Sequence, residues 1–425
     1  MKAVIMAGGR GTRIASVRSD IPKPMIPVLG KPILEHQIVT LKKQGIIDFY
    51  LSIGYMGETI KAYFGDGSAL GVHIDYLEET SPLGTAGALY YLKDVIHEDF
   101  LLVNGDLIFD VDVSRFLAFH KAKGGAATIM THPNSHPYDS GLIFADASGL
   151  VTKWLHKEDE REWYHNRVNS GIHMLSPSLF SLFPSLRKVD LDREILRPLI
   201  ERKQLYAYDT PEYIKDMGTP DRLFSVGKDL ESGLVEKKNL KNEQKAIFLD
   251  RDGTINKEVG FLHDIDDFVL LPGVAEAIRM INASGFLAIV ITNQPVVARG
   301  EVTIEELDRI HQKMETLLGR EGAYLDGLFF CPHHPDSGFP GERKELKIHC
   351  DCRKPQPGML FKARDAFHID LSKSYMVGDR KTDELTAVNG GCVPCRIGTA
   401  ECEGAISGTD LLDVVRKILG KEQLL

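Results

Sequence analysis

Residues 2–13 read KAVIMAGGRGTR and residues 245–254 read KAIFLDRDGT, each a short apolar run that breaks off abruptly into glycine and charge. Working outward from these two stretches, β-rich apolar runs of the same kind recur as FYLSI, HIDYL and FLLVNGD in the first half. FLAIVIT, GLFF and YMVGD follow in the second. Helix-like segments separate them, and that alternation predicts an α/β protein with sheets built from βαβ units. At 425 residues the chain is longer than one hydrophobic core usually grows, so two domains are expected. The join is placed in GKDLESGLVEKKNLKNEQK, residues 227–245, which is charged, poor in aromatics and directly followed by a new buried-strand pattern. The expected division is a first domain over 1–226, a linker over 227–244 and a second domain over 245–425. No repeat of solenoid length is visible, so each half is read separately.

Composition narrows the function. With 43% apolar and 26% charged residues the chain has ample material for large cores. A net charge of −9 and a pI near 5.9 argue against a nucleic-acid partner, although a nucleotide substrate needs only a local basic pocket. The first residues lack the apolar core and cleavage site of a signal peptide, and no run approaches the roughly 18–20 apolar residues that span a bilayer. The expectation is a cytoplasmic protein with no membrane partner. All six cysteines lie after residue 330, and three sit close to histidine, a pattern that in a reducing compartment points to metal rather than disulfides.

In the first half, Gly8, Gly9 and Gly11 let backbone N–H groups approach an anion closely, while Arg13 and Lys23 supply positive charge suited to a triphosphate. Alone, the glycines also fit a plain turn between strand and helix. GGRGTRI followed by KPM resembles the loop of the sugar-phosphate nucleotidylyltransferase family, and further ordered elements extend the resemblance over residues 1–225. It implies a Rossmann-like mixed sheet in which Ala7, Gly8, Gly9, Gly11, Thr12, Arg13 and Lys23 hold the nucleotide. Arg13 and Lys23 would act as the transition-state cations. LGTAGAL at Leu83–Leu89 would line the base and ribose pocket through Gly84, Thr85 and Ala86, with Glu78 or Glu79 just ahead of it. Asn104-Gly105-Asp106 and Asp216-Met217-Gly218-Thr219-Pro220 would bring Asp106 and Asp216 together on Mg²⁺. Asn169 and Gly171, in the NSG segment, would touch the sugar. The family's Glu-Lys-Pro segment is here His156-Lys157-Glu158, which keeps Lys157 as a sugar contact but leaves the sugar open. The base is open too, with the overall resemblance leaning toward the mannose-1-phosphate guanylyltransferase branch.

In the second half, DRDGT sets two aspartates one residue apart, where an extended strand puts them on one face. That suits a nucleophile, Asp250, and a general acid/base, Asp252, although the motif alone also fits a turn or a calcium loop. Thr292 in VITNQ, Lys354 in CRKPQPG, and Asp379 with Asp383 in VGDRKTD complete a resemblance to the haloacid-dehalogenase phosphatase superfamily. The resemblance implies a parallel sheet, an aspartyl phosphate on Asp250, and Thr292 and Lys354 on the phosphoryl oxygens. Mg²⁺ would sit between Asp250, Asp252 and Asp379, with Asp383 either behind it or a plain loop acid. Cys331-Pro-His333-His334 followed by Cys350-Asp-Cys352 offers three thiolates and an imidazole, a closed tetrahedral shell of the structural Zn²⁺ kind. A zinc loop directly before the motif lysine is similar to the group of D-glycero-D-manno-heptose 1,7-bisphosphate 7-phosphatases, which also includes histidinol-phosphate phosphatases. That resemblance names Cys331, His333, Cys350 and Cys352 as ligands, with His334 the rival donor. It makes Arg251, Asn293, Arg299 and Arg353 candidate substrate contacts. Pro295 and Val296 stand where that group carries Ser and Gly, a change that bears on loop shape.

Together the resemblances imply successive steps toward GDP-heptose: loss of the 7-phosphate from the heptose bisphosphate, then transfer of GMP from GTP to the heptose 1-phosphate. The partners are then GTP and heptose phosphates, and the macromolecular partner considered is a second copy of the chain. A rival reading pairs mannose-1-phosphate guanylyltransferase with histidinol-phosphate phosphatase. Another makes the first half a nucleotide-sugar sensor that regulates the phosphatase.

Overall fold

The computed structural model describes residues 1–9, 20–338, 340–398 and 406–422. The chain divides into two compact units. The first comprises Met1–His132, Ile143–Trp154 and Asn169–Asn239; the second comprises Pro133–Leu142, Leu155–Val168 and Leu240–Leu425. No helix among the described residues is long and apolar enough to cross a membrane.

The first unit is built on a mixed sheet. Its strands in chain order are β1 (Ala3–Met6), β2 (Asp48–Ile53), β3 (His73–Glu78), β4 (Phe100–Asn104), β6 (Ala127–His132), β7 (Leu142–Ala145), β8 (Val151–Leu155), β9 (Val168–Leu175) and β10 (Leu205–Asp209). The spatial path is β8-β7-β9-β4-β1-β2-β3, with β6 joining β9 to β10. Strands β1, β2, β3 and β4 are parallel neighbours, and β9 runs antiparallel to β4. In β1, Ala3 and Ile5 face a core with Leu34, Ile38 and Phe116, while Val4 faces another with Leu102 and Ile129. Both faces are covered, so the strand reads as an unbroken apolar run rather than an alternating one. Beside the sheet, β5 (Leu107–Asp110) and β11 (Tyr213–Asp216) form an antiparallel ribbon. The charged stretch that begins at Gly227 is helical up to Glu231 and again over Leu234–Lys237. Val226 and Val235, with Leu230 beside them, pack against Ile26, Val28 and Tyr213. Its charges coat the outer side of helices whose apolar side is buried, a pattern that aromatic-poor composition hides.

The second unit has six parallel strands among the described residues: β12 (Ala246–Leu249), β13 (Leu287–Asn293), β14 (Gly327–Cys331), β15 (Tyr375–Gly378), β16 (Val393–Ile397) and β17 (Ile406–Gly408). Their order is β14-β13-β12-β15-β16-β17. In β12, Ile247 and Leu249 face one core and Ala246 and Phe248 the other. Helix α1 (Ile304–Arg320) opens with a capping box, Thr303 Oγ1 accepting from Glu306 N while Thr303 N donates to the Glu306 carboxylate.

Two segments remote in sequence complete this unit. Asn134 and Asn166 bond each other reciprocally, Asn134 N to Asn166 Oδ1 at 3.1 Å and Asn166 Nδ2 to Asn134 O at 2.7 Å. A Cβ at Gly319 of α1 would come within 2.7 Å of Pro137 Cγ, so glycine permits the close approach. His165 places Nδ1 2.7 Å from Glu315 and Nε2 2.9 Å from Asp308. Burial opposes a charge on His165, but the two carboxylates outweigh it and push its pKa up to about 10. Burial likewise opposes charge on Glu315, yet Arg167 and His165 hold it down at about 2. Since the folded His165 binds its proton more tightly than the unfolded one, its contribution is full below pH 6.5 and is lost as pH rises through about 10. Calorimetry of wild type and His165→Leu across that range should show a stability gap that is widest below pH 6.5 and narrows toward pH 10. A gap that does not change with pH would assign His165 a packing role alone.

Candidate active sites and metal centre

In the first unit the chemistry gathers where β1 and β4 end. Met6 is in register with Asn104, so the glycine loop after β1 and the Asn104-Gly105-Asp106 turn emerge at the same edge of the sheet. Gly105 N donates to Met6 O at 3.0 Å, and a Cβ at Gly105 would lie 2.7 Å from that oxygen, which accounts for glycine between the two polar residues. Lys23, in the short turn Lys23–Met25, puts Nζ 2.5 Å from Asp106 Oδ2. The β5–β11 ribbon carries Asp216 to the same place: it pairs with Leu107, and Met217 N donates to Asp106 O at 2.8 Å. The Asp216 carboxylate accepts from Arg222 Nη1 at 2.6 Å and from Gly218 N at 2.9 Å. Asp106, in the turn before β5, and Asp216, at the end of β11, thus present hard oxygens of the type that a divalent cation takes.

Gly8 lies against Glu79, whose Oε1 accepts from Ser52 Oγ at 2.7 Å and whose Oε2 accepts from Leu83 N at 2.9 Å. Glu78 instead pairs with Lys61 on the surface. The Leu83–Leu89 loop is pinned to Val189, whose carbonyl accepts from both Thr85 N and Ala86 N, while Thr85 Oγ1 accepts from Leu191 N. Gly84 has φ +79° and would set a Cβ 2.4 Å from Val189 O. These bonds shape the loop from within and engage the Thr85 and Ala86 N–H donors. Asn169 Oδ1 accepts from Gly171 N at 3.0 Å and lies 3.2 Å from His173 Nε2. Gly171, at φ +80°, sits against the Asn104 amide, which brings the NSG and NGD elements together. Ala7 is buried, and a Cβ at Gly9 would meet no described residue within 4 Å. Lys157 is exposed in a turn of the segment that clusters with the second unit. Gly11, Thr12 and Arg13 lie outside the described residues.

In the second unit, Asp250 follows the last residue of β12 and is buried. Lys354 Nζ lies 2.7 Å from Asp250 and 2.6 Å from Asp383. Burial raises the Asp250 pKa, Lys354 draws it back and Asp383 adds to the rise, leaving it at about 7. Asp383 also accepts from Arg380 N at 3.0 Å, so it is a buried partner of the lysine rather than a plain loop acid. Asn293 grips the Lys354 backbone from both sides, Oδ1 accepting from its N–H at 3.0 Å and Nδ2 donating to its carbonyl at 3.1 Å. Asp252 accepts from Arg251 Nη2 at 2.9 Å, Gln294 Nε2 at 2.8 Å and Asn256 Nδ2 at 3.0 Å. Burial would raise its pKa, but these donors hold it below the ordinary carboxylate value. Gln294 also donates to Thr292 Oγ1 at 2.9 Å, tying the threonine to the acid. Asp379 lies with Asp250 and Asp383 in one cluster whose ligand atoms fall within 4.8 Å of one another. Among the described residues its buried Oδ1 has no hydrogen-bond partner, as expected of an oxygen meant for a cation.

Arg251 turns inward. It is fully buried, and its guanidinium donates to Asp252, to Gln294 Oε1 at 2.8 Å and to His311 Nε2 at 3.2 Å. The substrate role expected for it does not match this placement, because those partners engage all three guanidinium nitrogens. Arg299 stacks over Phe261 at 4.1 Å and pairs with Glu301, while Arg353 donates to His333 O at 3.1 Å within the metal loop. Val296 is buried beside Val297, Val302 and Leu307, so the Pro295-Val296 change packs the turn after Gln294 onto an apolar cluster.

Cys331, His333, Cys350 and Cys352 form a second cluster with ligand atoms within 4.8 Å. The Sγ atoms of Cys352 and Cys350 are 3.3 Å apart, those of Cys331 and Cys350 3.6 Å, and Cys352 Sγ lies 3.4 Å from His333 Nδ1. These separations approach the roughly 3.8 Å edge of a tetrahedron with ~2.3 Å metal–sulfur bonds. His334 Nδ1 accepts instead from Asp336 N at 3.1 Å. Gln294 N donates to Cys331 O at 2.7 Å, and Cys352 precedes Lys354 by two residues, so the cluster anchors two sides of the catalytic centre. Gln294, Asn256 and His311 are the functional residues that residue type does not flag: two are uncharged amides, and His311 reads as one more position on a buried helical stripe.

Residues 2–233, more than half of the chain, match the Nucleotidyl transferase family model, and residues 351–404 match the HAD-hydrolase-like model. D-glycero-beta-D-manno-heptose-1,7-bisphosphate 7-phosphatase of Escherichia coli (strain K12) is 47% identical over 143 residues, 34% of this chain and 73% of that protein. Mannose-1-phosphate guanyltransferase of Saccharomyces cerevisiae is 34% identical over 244 residues, 55% of this chain and 64% of that protein. Among solved structures, HddC from Yersinia pseudotuberculosis complexed with GMP-PN superposes with a TM-score of 0.47 at 26% identity, over 54% of this chain and 99% of that one. The chain belongs to the nucleotidyl transferase family through its first half and to the HAD-like phosphatase family of the Escherichia coli relative through its second.

Proposed function

We propose that the chain is a bifunctional enzyme that acts twice on one sugar: it hydrolyses the 7-phosphate of D-glycero-D-manno-heptose 1,7-bisphosphate, then transfers GMP from GTP to the 1-phosphate that remains. The observation that carries the reading is the pairing of a phosphatase centre at Asp250 with a transferase centre at Asp106 in one chain, because the product of the first is a substrate of the second. The relatives named for a heptose bisphosphatase and for a guanyltransferase support the two halves.

At the phosphatase centre the Asp250 carboxylate attacks phosphorus and the bond from phosphorus to the sugar oxygen breaks. Asp252 donates a proton to the departing oxygen, then takes one from the water that attacks the aspartyl phosphate. Thr292 and Lys354 face the phosphoryl oxygens, with Lys354 kept in place by Asp383 and Asn293. Mg²⁺, held by the Asp250 carboxylate, the Asp252 backbone carbonyl and Asp379, would neutralise charge between the anionic nucleophile and substrate. At the transferase centre an oxygen of the sugar 1-phosphate attacks the α-phosphorus of GTP in line and pyrophosphate leaves. Lys23 and Arg13 are assigned to the phosphates, Asp106 and Asp216 to Mg²⁺, and Asn169 and Gly171 to the sugar. Zn²⁺ in the Cys331, His333, Cys350 and Cys352 cluster is structural, since four protein donors close its shell. GTP and the heptose phosphates are the partners, and the reactions belong in the cytoplasm.

With Mg²⁺, GTP and the α or β anomer of the bisphosphate, phosphate release should precede GDP-heptose. Asp250→Asn should cut phosphate release at least about a thousandfold, whereas Asp106→Asn should suppress only pyrophosphate. Phosphate without any nucleotide sugar from any NTP would sink the transferase assignment. In a separate test, Cys350→Ser should take the zinc content from about one per chain to near zero and reduce phosphate release, while pyrophosphate release from GTP and supplied heptose 1-phosphate persists. Unchanged phosphate release in the zinc-free variant would show that the metal does not brace Lys354.

A further inference from the structure

Six residues of the segment Leu155–Val168 lie along α1. Glu162 pairs with Arg309 at 3.1 Å, Trp163 stacks beneath Lys313 and Arg320, and Tyr164 N donates to Thr316 Oγ1 at 2.9 Å. Asn166 N donates to Glu315 at 3.0 Å, and Arg167 pairs with the same carboxylate at 3.3 Å. His165 contacts Asp308 and Glu315, which lie one turn before and one turn after His311 on the same stripe of the helix. His311 is buried, with its ring against Phe330, and its Nε2 lies 3.2 Å from Arg251 Nη1. Arg251 in turn holds both Asp252 oxygens at 2.9 Å.

We propose that Leu155–Val168 is a working strap of the phosphatase centre: His165 clamps the two turns that flank His311, His311 braces Arg251, and Arg251 aims the Asp252 carboxyl. His165, His311 and Glu315 are positioning residues, since they act through Arg251 and touch no reacting atom. A guanidinium with no exposed surface needs an acceptor for every donor it turns inward, because a buried unpaired polar group costs about 1–3 kcal/mol. Arg251 has three such acceptors, and His311 is the one that Asp252 and Gln294 cannot replace, being reached by Nη1 alone among the bonds described. The brace requires Nε2 of His311 to be the unprotonated nitrogen. Burial, with Arg251 and His165 nearby, pushes the ring down to about 3 and keeps it an acceptor, although Asp308 and Glu315 pull the other way. Sequence alone gives the strap no such role, since it lies some 70 residues before the second unit's main span.

The inference rests on the phosphatase reading, and the test separates the two. In the full chain with Mg²⁺ and Zn²⁺ present, phosphate and pyrophosphate release are followed for His311→Leu, His311→Gln and His165→Leu, with melting temperatures alongside. A well-placed acid supplies about 10²–10⁴-fold, and His311→Leu should lose about tenfold to a hundredfold of that in kcat for phosphate release with KM within about twofold. His311→Gln, whose amide oxygen can accept from Arg251, should recover most of the loss. His165→Leu should fall about threefold to tenfold, and pyrophosphate release from GTP and supplied heptose 1-phosphate should hold throughout. Wild-type kcat in both His311→Leu and His165→Leu overturns the strap and leaves the phosphatase standing. So does an equal loss in His311→Gln and His311→Leu, which marks a packing defect. A wild type that releases no phosphate sinks both readings.

Discussion

A parallel strand covered on both faces has no position along its length where a charge can reach water, and that constraint places the chemistry of both units. Val4 and Ile5 point into different cores, as do Phe248 and Leu249. The carboxylates of the sites therefore come beyond the strand ends: Asp106 after Asn104, Asp250 after Leu249 and Asp379 after Gly378, with the glycine loop after Met6 beside them. The same geometry that makes these strands easy to recognise concentrates backbone donors and carboxylates at one edge of each sheet.

Charges drawn into that edge must be paired, and the pairs define the sites. Lys354 is buried between Asp250 and Asp383, so removing the lysine would leave two buried carboxylates without their cation, a change that typically costs about 3–5 kcal/mol. Asp250 also feels Asp252 and Asp383, which together with burial lift its carboxyl to about 7 against the pull of Lys354. Asp252 is governed by the opposite balance. Arg251, Asn256 and Gln294 hold it ionised, which suits the water-activating half of its task. Its acid half then depends on the approach of an anionic substrate.

Two clips secure this arrangement. The Cys331, His333, Cys350 and Cys352 cluster closes the loop that ends at Lys354, and through Cys331 O it also fixes Gln294. The strap does the same for the other side of the centre, with His165 and Glu315 on α1 and His311 facing Arg251. One clip depends on coordination and the other on buried ion pairs, so they differ in what disrupts them: chelators for the first, extremes of pH for the second.

Strand identity was legible because each β-run is short, apolar and breaks off into glycine or polar residues, and the paired aspartates, the motif lysine and the cysteine spacing were legible because few chemistries use them. The helices within Gly227–Lys237 were hidden, since their charged outer side dominates the composition while Val226 and Val235 do the packing. The resemblance makes Arg251 a candidate substrate contact, and only the fold shows its guanidinium enclosed by Asp252, Gln294 and His311. By itself, then, the sequence determined the two α/β halves and the residue types that carry phosphoryl chemistry, because short-range periodicity and motif spacing are local properties of the chain. Tertiary structure alone decided the joining of Leu155–Val168 to the second unit and the partner of each buried charge. Those depend on which distant side chains share a low-dielectric interior, where an unpaired charge is too costly to leave.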